Sequence, residues 1–255
     1  MRRTPRETST TRHPARDTTS LARQRATLFA VTPNVSAYDR FRAFGAVLDV
    51  ARFPLPTSAL HEVPVRAMRV FAQRHDDYLK TLDEARLKKL DPAFDVAKLF
   101  RITLDPDVAS GRRILQGQAI TTLELFGPGY DLHDDTIRLF EYRGTTSATT
   151  TMEGLAYALL NPPYGLRDLP RRLHESFDTP GQREQVRMRQ VLREFCAEVL
   201  SLEDPKRADH LTIHQWPTDG SSYSDAGNEW WGSFCWTVED HRHGWVTVLA
   251  ASSTD

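Results

Sequence analysis

The sequence predicts an α+β domain, in which a helical N-terminal half packs on a mainly antiparallel sheet and a tryptophan-rich C-terminal segment adds three strands. Two observations predict this class. Apolar residues recur every three to four positions before residue 90, and the period shortens toward two after about residue 98. In addition, all five tryptophans follow residue 210, in short runs typical of strands.

Composition is typical of a folded protein. The chain has 255 residues, of which 40% are hydrophobic and 26% are charged. The net charge of −1 gives no general attraction to nucleic acid or to an anionic membrane. Lysine is rare and arginine common, which indicates a GC-rich, bacterial genome. We expect a cytoplasmic protein, because no apolar run is long enough to span a membrane.

Residues 1–25 differ from the rest of the chain. They are mostly Arg, Thr, Ser and Pro, and such a segment buries too little apolar surface to offset the entropy of ordering. We expect a disordered tail here and a single α+β domain over 26–255. An arginine-rich, acid-poor segment is also typical of an organellar transit peptide, but this one has no apolar face.

The N-terminal half predicts two amphipathic helices. The first covers about 38–48, where Tyr38, Phe41 and Phe44 share one face with Leu48. The second opens near Ser58 and ends at Asp91-Pro92. Its predicted core stripe consists of Val65, Met68, Phe71, Tyr78, Leu82 and Ala85.

The middle of the chain predicts strands and then helices. Strand-like runs cover 99–104, 119–126 and 136–142, and the last two are expected to pair with each other. Helices are expected over 152–160 and 182–200.

The C-terminal stretch predicts three strands, at 210–216, 232–238 and 245–251. The short segment Asp240–Gly244 is expected to join the last two as a hairpin. Both faces of these two strands are largely apolar, so we expect them in the middle of the sheet.

The loop between the first two of these strands, from Asp219 to Trp231, is the best-placed candidate site. Asp225 and Glu229 would serve as general acid and general base, or as ligands for a hard cation. The candidate binding residues are Trp216, Asp219, Tyr223, Trp230 and Trp231, which would form an aromatic wall. The alternative is a solvated loop flanked by tryptophans of the core.

The string Asn161-Pro-Pro-Tyr164 is similar to the motif of amino-group methyltransferases that act on adenine. The resemblance implies that the Asn side chain and a proline carbonyl hold the target amine while the aromatic ring stacks on a flipped base. It covers four residues, and Glu124–Gly129 would be the matching glycine-rich turn for S-adenosylmethionine. The alternative is a Pro-Pro helix stop with a packed tyrosine, which the helical pattern before it favours.

Among the remaining reactive side chains, the histidines are expected on the surface and Cys235 is expected to be a small core residue. His210 and His214 lie too far apart along one strand to share a metal ion, and His241 and His243 lie in a turn. Cys196 and Cys235 indicate neither a disulfide framework nor a metal site.

We therefore predict a non-catalytic protein-binding domain, of the interaction or immunity type, whose partner is another protein. The clustered Trp and Tyr residues favour it, as does the absence of a cofactor motif. No cofactor, metal, membrane or nucleic-acid partner is expected. The alternative is a hydrolase that uses Asp225 and Glu229 beside Trp230 and Trp231, and a methyltransferase is a third possibility.

Overall fold

The structure is a computed structural model, and the residues that it describes all lie within the unit Ser36–Asp255. The predicted tail therefore lies outside the described residues. All that follows concerns this unit. The residues described are 38–39, 48–56, 59–81, 89, 101–131, 134, 136–137, 154–160, 180–204, 207–225 and 232–252.

The fold is mixed α+β, built on a five-stranded antiparallel sheet with the order β1-β7-β6-β5-β2. The first and last strands pair along their whole length, and β2 forms the opposite edge. The strands are β1 (Leu48–Pro54), β2 (Gln118–Ile120), β5 (Leu211–Gln215), β6 (Ser233–Asp240) and β7 (Trp245–Ser252). A separate antiparallel pair consists of β3 (Tyr130–Asp131) and β4 (Thr136–Ile137).

Five helices of the described chain accompany the sheet: α1 (Glu62–Leu79), α2 (Pro106–Ala109), α3 (Thr122–Phe126), α4 (Gly154–Leu160) and α5 (Pro180–Leu200). The predictions over 152–160 and 182–200 are confirmed by α4 and α5. No helix of the described segments is both long enough and apolar enough to cross a membrane.

The sheet separates two hydrophobic clusters, because successive side chains of a strand point to opposite faces. Side chains of α1 pack on one face, and side chains of α4 and α5 pack on the other. The cluster with α1 includes Ala51, Ala67, Phe71, Trp216, Cys235, Val248 and Ala250. The cluster with α4 and α5 includes Leu155, Leu159, Leu192, Phe195, Trp236, Val238 and Leu249.

The C-terminal hairpin is confirmed. Strands β6 and β7 pair over eight residues, and they occupy interior positions with most of their side chains buried. The connecting turn ends at Gly244, whose φ of +75° suits a residue without a Cβ atom.

The helix predicted over 38–48 is wrong at its C-terminal end, where Leu48 begins strand β1. In β1 the side chains of Leu48 and Ala51 are buried, and pairing with β7 determines the extended conformation. Residues 38–39 are helical, and Phe41 and Phe44 lie outside the described residues.

The strand predicted over 119–126 is also wrong beyond Ile120. Thr121 caps helix α3 through a reciprocal capping box with Glu124, and this local pairing outweighs the strand propensity of the run. Strand β2 pairs with β5 and not with 136–142, of which only β4 is described. Of the run 99–104, residues 101–104 are described, and Leu104 forms an isolated bridge with Ser221.

The predicted long helix forms as α1, and its predicted core stripe is confirmed at Met68 and Phe71, which are buried. The stripe is wrong at Tyr78, which is 59% exposed, and Val65 is only partly buried. The other buried residues of α1 are Val63, Pro64 and Ala67. Ser58, Leu82 and Ala85 lie outside the described residues.

Candidate functional site

The loop that follows β5, from Trp216 to Asp225, is tied to the segment 103–105. The Asp105 N–H donates to the Gly220 carbonyl at 3.0 Å, and the Ser222 N–H donates to the Thr103 carbonyl at 2.9 Å. The Ser221 hydroxyl donates to the same Thr103 carbonyl at 2.9 Å. These hydrogen bonds attach the first half of the predicted site loop, residues 219–225, to the segment 103–105.

Trp216, a predicted binding residue, lies in the core. Its side chain is 5% exposed, and its indole N–H donates to the Thr237 hydroxyl at 2.9 Å. A Cβ atom at Gly117 would lie 2.9 Å from the ring, so the backbone of Gly117 packs directly against the indole. Trp216 therefore packs inside the protein at the start of the loop, and its side chain is not on the surface.

Asp219 is 64% exposed and is held by Arg113. One guanidinium nitrogen of Arg113 lies 2.7 Å from the carboxylate, and the other donates to the Asp219 carbonyl at 2.9 Å. The hydrogen bond to Asp219 raises the pKa of Arg113. Through these two contacts, Arg113 attaches the loop to the segment of the chain that precedes β2.

Tyr223 connects the loop to the far edge of the sheet. Its hydroxyl lies 3.0 Å from an oxygen of Asp49 and 3.2 Å from the Ala250 carbonyl. Burial raises the pKa of Tyr223 well above its usual value, and the nearby Asp49 raises it further. The Tyr223 ring lies 6.0 Å from that of Phe71, which places it against α1.

Asp225 is exposed at the end of the short 3₁₀ turn Ser222–Ser224. Its predicted catalytic partner Glu229 lies outside the described residues, together with Trp230 and Trp231. The carboxylate pair and the tryptophan wall, and with them the hydrolase alternative, stay predictions.

A small cavity of about 20 Å³, room for about one water molecule, lies beside the loop. Its lining is mainly apolar and contains no carboxylate from the described residues. Cys235 lines it, and burial raises the pKa of that thiol to about 12. The lining residues are Pro64, Val65, Met68, Leu104, Val108, Leu115, Pro217, Thr218, Gly220, Ser221, Ser224 and Cys235.

Two histidines of the C-terminal strands lie beside carboxylates, and of these His214, which was expected on the surface, is mostly buried. His214 lies 3.2 Å from Glu239 across β5 and β6, and both side chains are mostly buried. His243 lies 2.6 Å from the buried Asp240 in the hairpin turn. No group of three metal-ligating side chains occurs among the residues that the structure describes.

The methyltransferase-like string Asn161-Pro-Pro-Tyr164 lies outside the described residues. The segment before it is helix α4, as predicted. The turn at Gly127 follows helix α3, whereas the turn that holds S-adenosylmethionine follows a strand.

A different surface, around β2, was not among the predicted sites. Three large apolar side chains of the described chain are exposed, and two of them flank β2: Ile114 is 51% exposed and Leu123 is 60% exposed. Leu123 occupies the second position of α3, immediately after the strand. The sequence signal for the start of α3 was present in the capping box Thr121–Glu124, but this signal does not show which side chains of the helix are exposed.

Comparisons with protein-family models, with curated proteins and with solved structures each gave no match.

Proposed function

We propose that this chain is a non-catalytic protein-binding domain, of the interaction or immunity type, which binds another protein through the surface around β2. The observation that carries the proposal is the exposure of Ile114 and Leu123, which precede and follow the edge strand β2 in the sequence. Because about half of each side chain is already buried, covering the rest by a partner contributes about 1–1.5 kcal/mol each. Apolar anchors beside an open edge suit a protein partner better than a small molecule.

The loop after β5 supports the same proposal. The indole N–H of Trp216 and the hydroxyl of Tyr223 donate inside the protein, and the carboxylate of Asp219 is engaged by Arg113. These groups stabilise the loop in one conformation. A loop that is held by such contacts favours binding of a partner without a change in the conformation of the loop.

The test is quantitative affinity capture from cells of the source organism, followed by titration calorimetry with the purified partner. The variant Ile114→Ser/Leu123→Ser removes both exposed apolar side chains. Tyr78→Ser is the matched control, because Tyr78 is equally exposed but lies at the end of α1. We expect the double variant to weaken binding by roughly tenfold or more, as for an interface anchor, and the control to bind like the unmodified protein.

Equal binding by the double variant and the unmodified protein would contradict the proposed surface. Failure of the unmodified protein to retain any partner, in lysates prepared at both low and physiological salt, would contradict the protein-binding function itself.

A further inference from the structure

The carboxylate of Asp240 sets the tautomer of His243 in the turn between β6 and β7. The Nδ1 atom of His243 lies 2.6 Å from that carboxylate, which is buried. The pKa of Asp240 is held at about 2, so the carboxylate is ionised near neutral pH and accepts a hydrogen bond from Nδ1–H. The neutral imidazole therefore carries its lone pair on Nε2, and the carboxylate raises the basicity of that atom.

Trp245 fixes the plane of the same imidazole. The rings of His243 and Trp245 stack with their centroids 5.2 Å apart and their planes at 18°. The His243 side chain is nevertheless 46% exposed, and its Nε2 has no hydrogen-bond partner among the described residues. One hydrogen bond and one stacking contact thus hold a ring whose free nitrogen is open to solvent.

The other histidines of the C-terminal strands do not combine these properties. Each has a ring nitrogen that another group engages inside the protein or at the strand ends. The contacts are His210 with the Ser201 carbonyl, His214 with the buried side of Glu239, and His241 Nε2 with the Thr212 hydroxyl.

The charges around His243 suit an anionic reagent. The neighbouring Arg242 is exposed, and the Arg52 guanidinium lies 4.4 Å from the centroid of the Trp245 ring on which His243 stacks. Two cations beside the single carboxylate of Asp240 leave a positive local charge. Such a charge attracts phosphoryl donors, which are anions, more strongly than neutral acyl donors.

We propose that His243 is a phosphoryl-acceptor site, at which Nε2 attacks the phosphorus of a phosphoramidate or an acyl phosphate. With phosphoramidate, the bond from Nε2 to phosphorus forms, the P–N bond of the donor breaks, and ammonia leaves with the electron pair of that bond. The ring becomes cationic and keeps its hydrogen on Nδ1, where the Asp240 carboxylate stabilises the charge. This inference goes beyond the proposed protein-binding function and does not depend on it.

The test measures phosphorylation of the full chain by potassium phosphoramidate at about pH 8, above the ordinary pKa of histidine. Mass spectrometry of peptides, prepared under alkaline conditions that preserve phosphohistidine, gives the rate at each histidine. His75 is the internal reference, because it is partly exposed and its ring has no carboxylate beside it among the described residues. The urea-unfolded chain gives the rates of the same histidines without the fold.

We expect His243 to react roughly tenfold or more faster than His75 in the folded protein and at a similar rate in the unfolded chain. Asp240→Asn should lower the rate at His243 toward that of His75. His241→Gln is the matched control and should leave the rate at His243 unchanged, since the His241 ring bonds to Thr212.

Equal rates at His243 and His75 in the folded protein would overturn the proposal. A folded Asp240→Asn variant whose His243 reacts as fast as before would overturn the role of the carboxylate and with it the proposal. If thermal unfolding shows that Asp240→Asn does not fold, the comparison of the two histidines in the native sequence still decides.

Discussion

Asp240 stabilises the turn between β6 and β7. Its carboxylate is 1% exposed and accepts from the backbone N–H groups of Arg242 and His243, both at 3.0 Å. The His243 ring lies 2.6 Å from the second oxygen. Burial raises the pKa of Asp240, but hydrogen bonds from Ser201 and His243 outweigh burial and lower the pKa to about 2.

This pKa predicts a pH dependence of stability. The folded pKa lies below the ordinary value of 3.8, so the ionised carboxylate stabilises the fold at pH values above about 4. The contribution, about 2 kcal/mol, is lost as the pH falls toward about 2. We expect the difference in unfolding free energy between the unmodified protein and Asp240→Asn to shrink by this amount from pH 6 to pH 2. A constant difference in urea denaturation at all pH values would contradict the assignment.

Tyr223 is expected to contribute to the stability of the fold and not to partner binding. Tyr223→Phe removes the hydroxyl that contacts Asp49 and Ala250, and the loss of this buried hydrogen bond is expected to cost about 1–3 kcal/mol. Binding of the captured partner should not change at temperatures where the variant is folded. Unchanged stability, measured by denaturant unfolding, would show that the hydroxyl is not held by these groups in solution.

At the scale of single elements, the direction of the backbone in β2 has a direct test. The N–H of Gln118 faces β5, and that of Ala119 faces outward. Gln118→Pro should therefore lower the unfolding free energy by about 3 kcal/mol, whereas Ala119→Pro should change it by less than about 1 kcal/mol. Thermal and urea unfolding of the two variants provide the measurement. A larger loss for Ala119→Pro would reverse the assigned direction.

Helices and strands in which apolar residues recur with one clear period were predictable from the sequence. The strands predicted at 210–216, 232–238 and 245–251 and the helix predicted over 182–200 all correspond to observed elements, namely β5, β6, β7 and α5. Strand β1 was missed because its conformation depends on pairing with β7, almost 200 residues away in sequence. Helix α3 was missed because the local capping box competes with a strand-like run and prevails.

At the scale of the whole molecule, the roles that the sequence predicted for residues of the loop after β5 stay predictions, and their contacts could not be foreseen. Trp216 and Tyr223 were predicted as binding residues, yet their polar groups bond to Thr237 and Asp49, which are remote in sequence. Long-range contacts of this kind leave no local pattern. The exposed surface around β2 could likewise not be predicted from the sequence, because the exposure of Leu123 depends on how α3 packs against the rest of the protein.

The two cysteines provide a test of the packed fold. Both are buried, on opposite faces of the sheet, and burial raises the pKa of each thiol, so neither thiolate forms near neutral pH. We expect no reaction of the native protein with a thiol reagent such as Ellman's reagent and full reaction of both after unfolding. Rapid labelling of Cys235 in the native state would show that the sheet face beneath α1 opens.

Hydrogen–deuterium exchange of the complex with the captured partner tests the central claim most directly, because it locates the interface on the unmodified chain. The account predicts slower exchange over 112–124, the segment that contains Ile114, Ala119 and Leu123, with little change over β1 at the other edge of the sheet. Protection confined to other segments, with exchange over 112–124 unchanged, would contradict binding at β2.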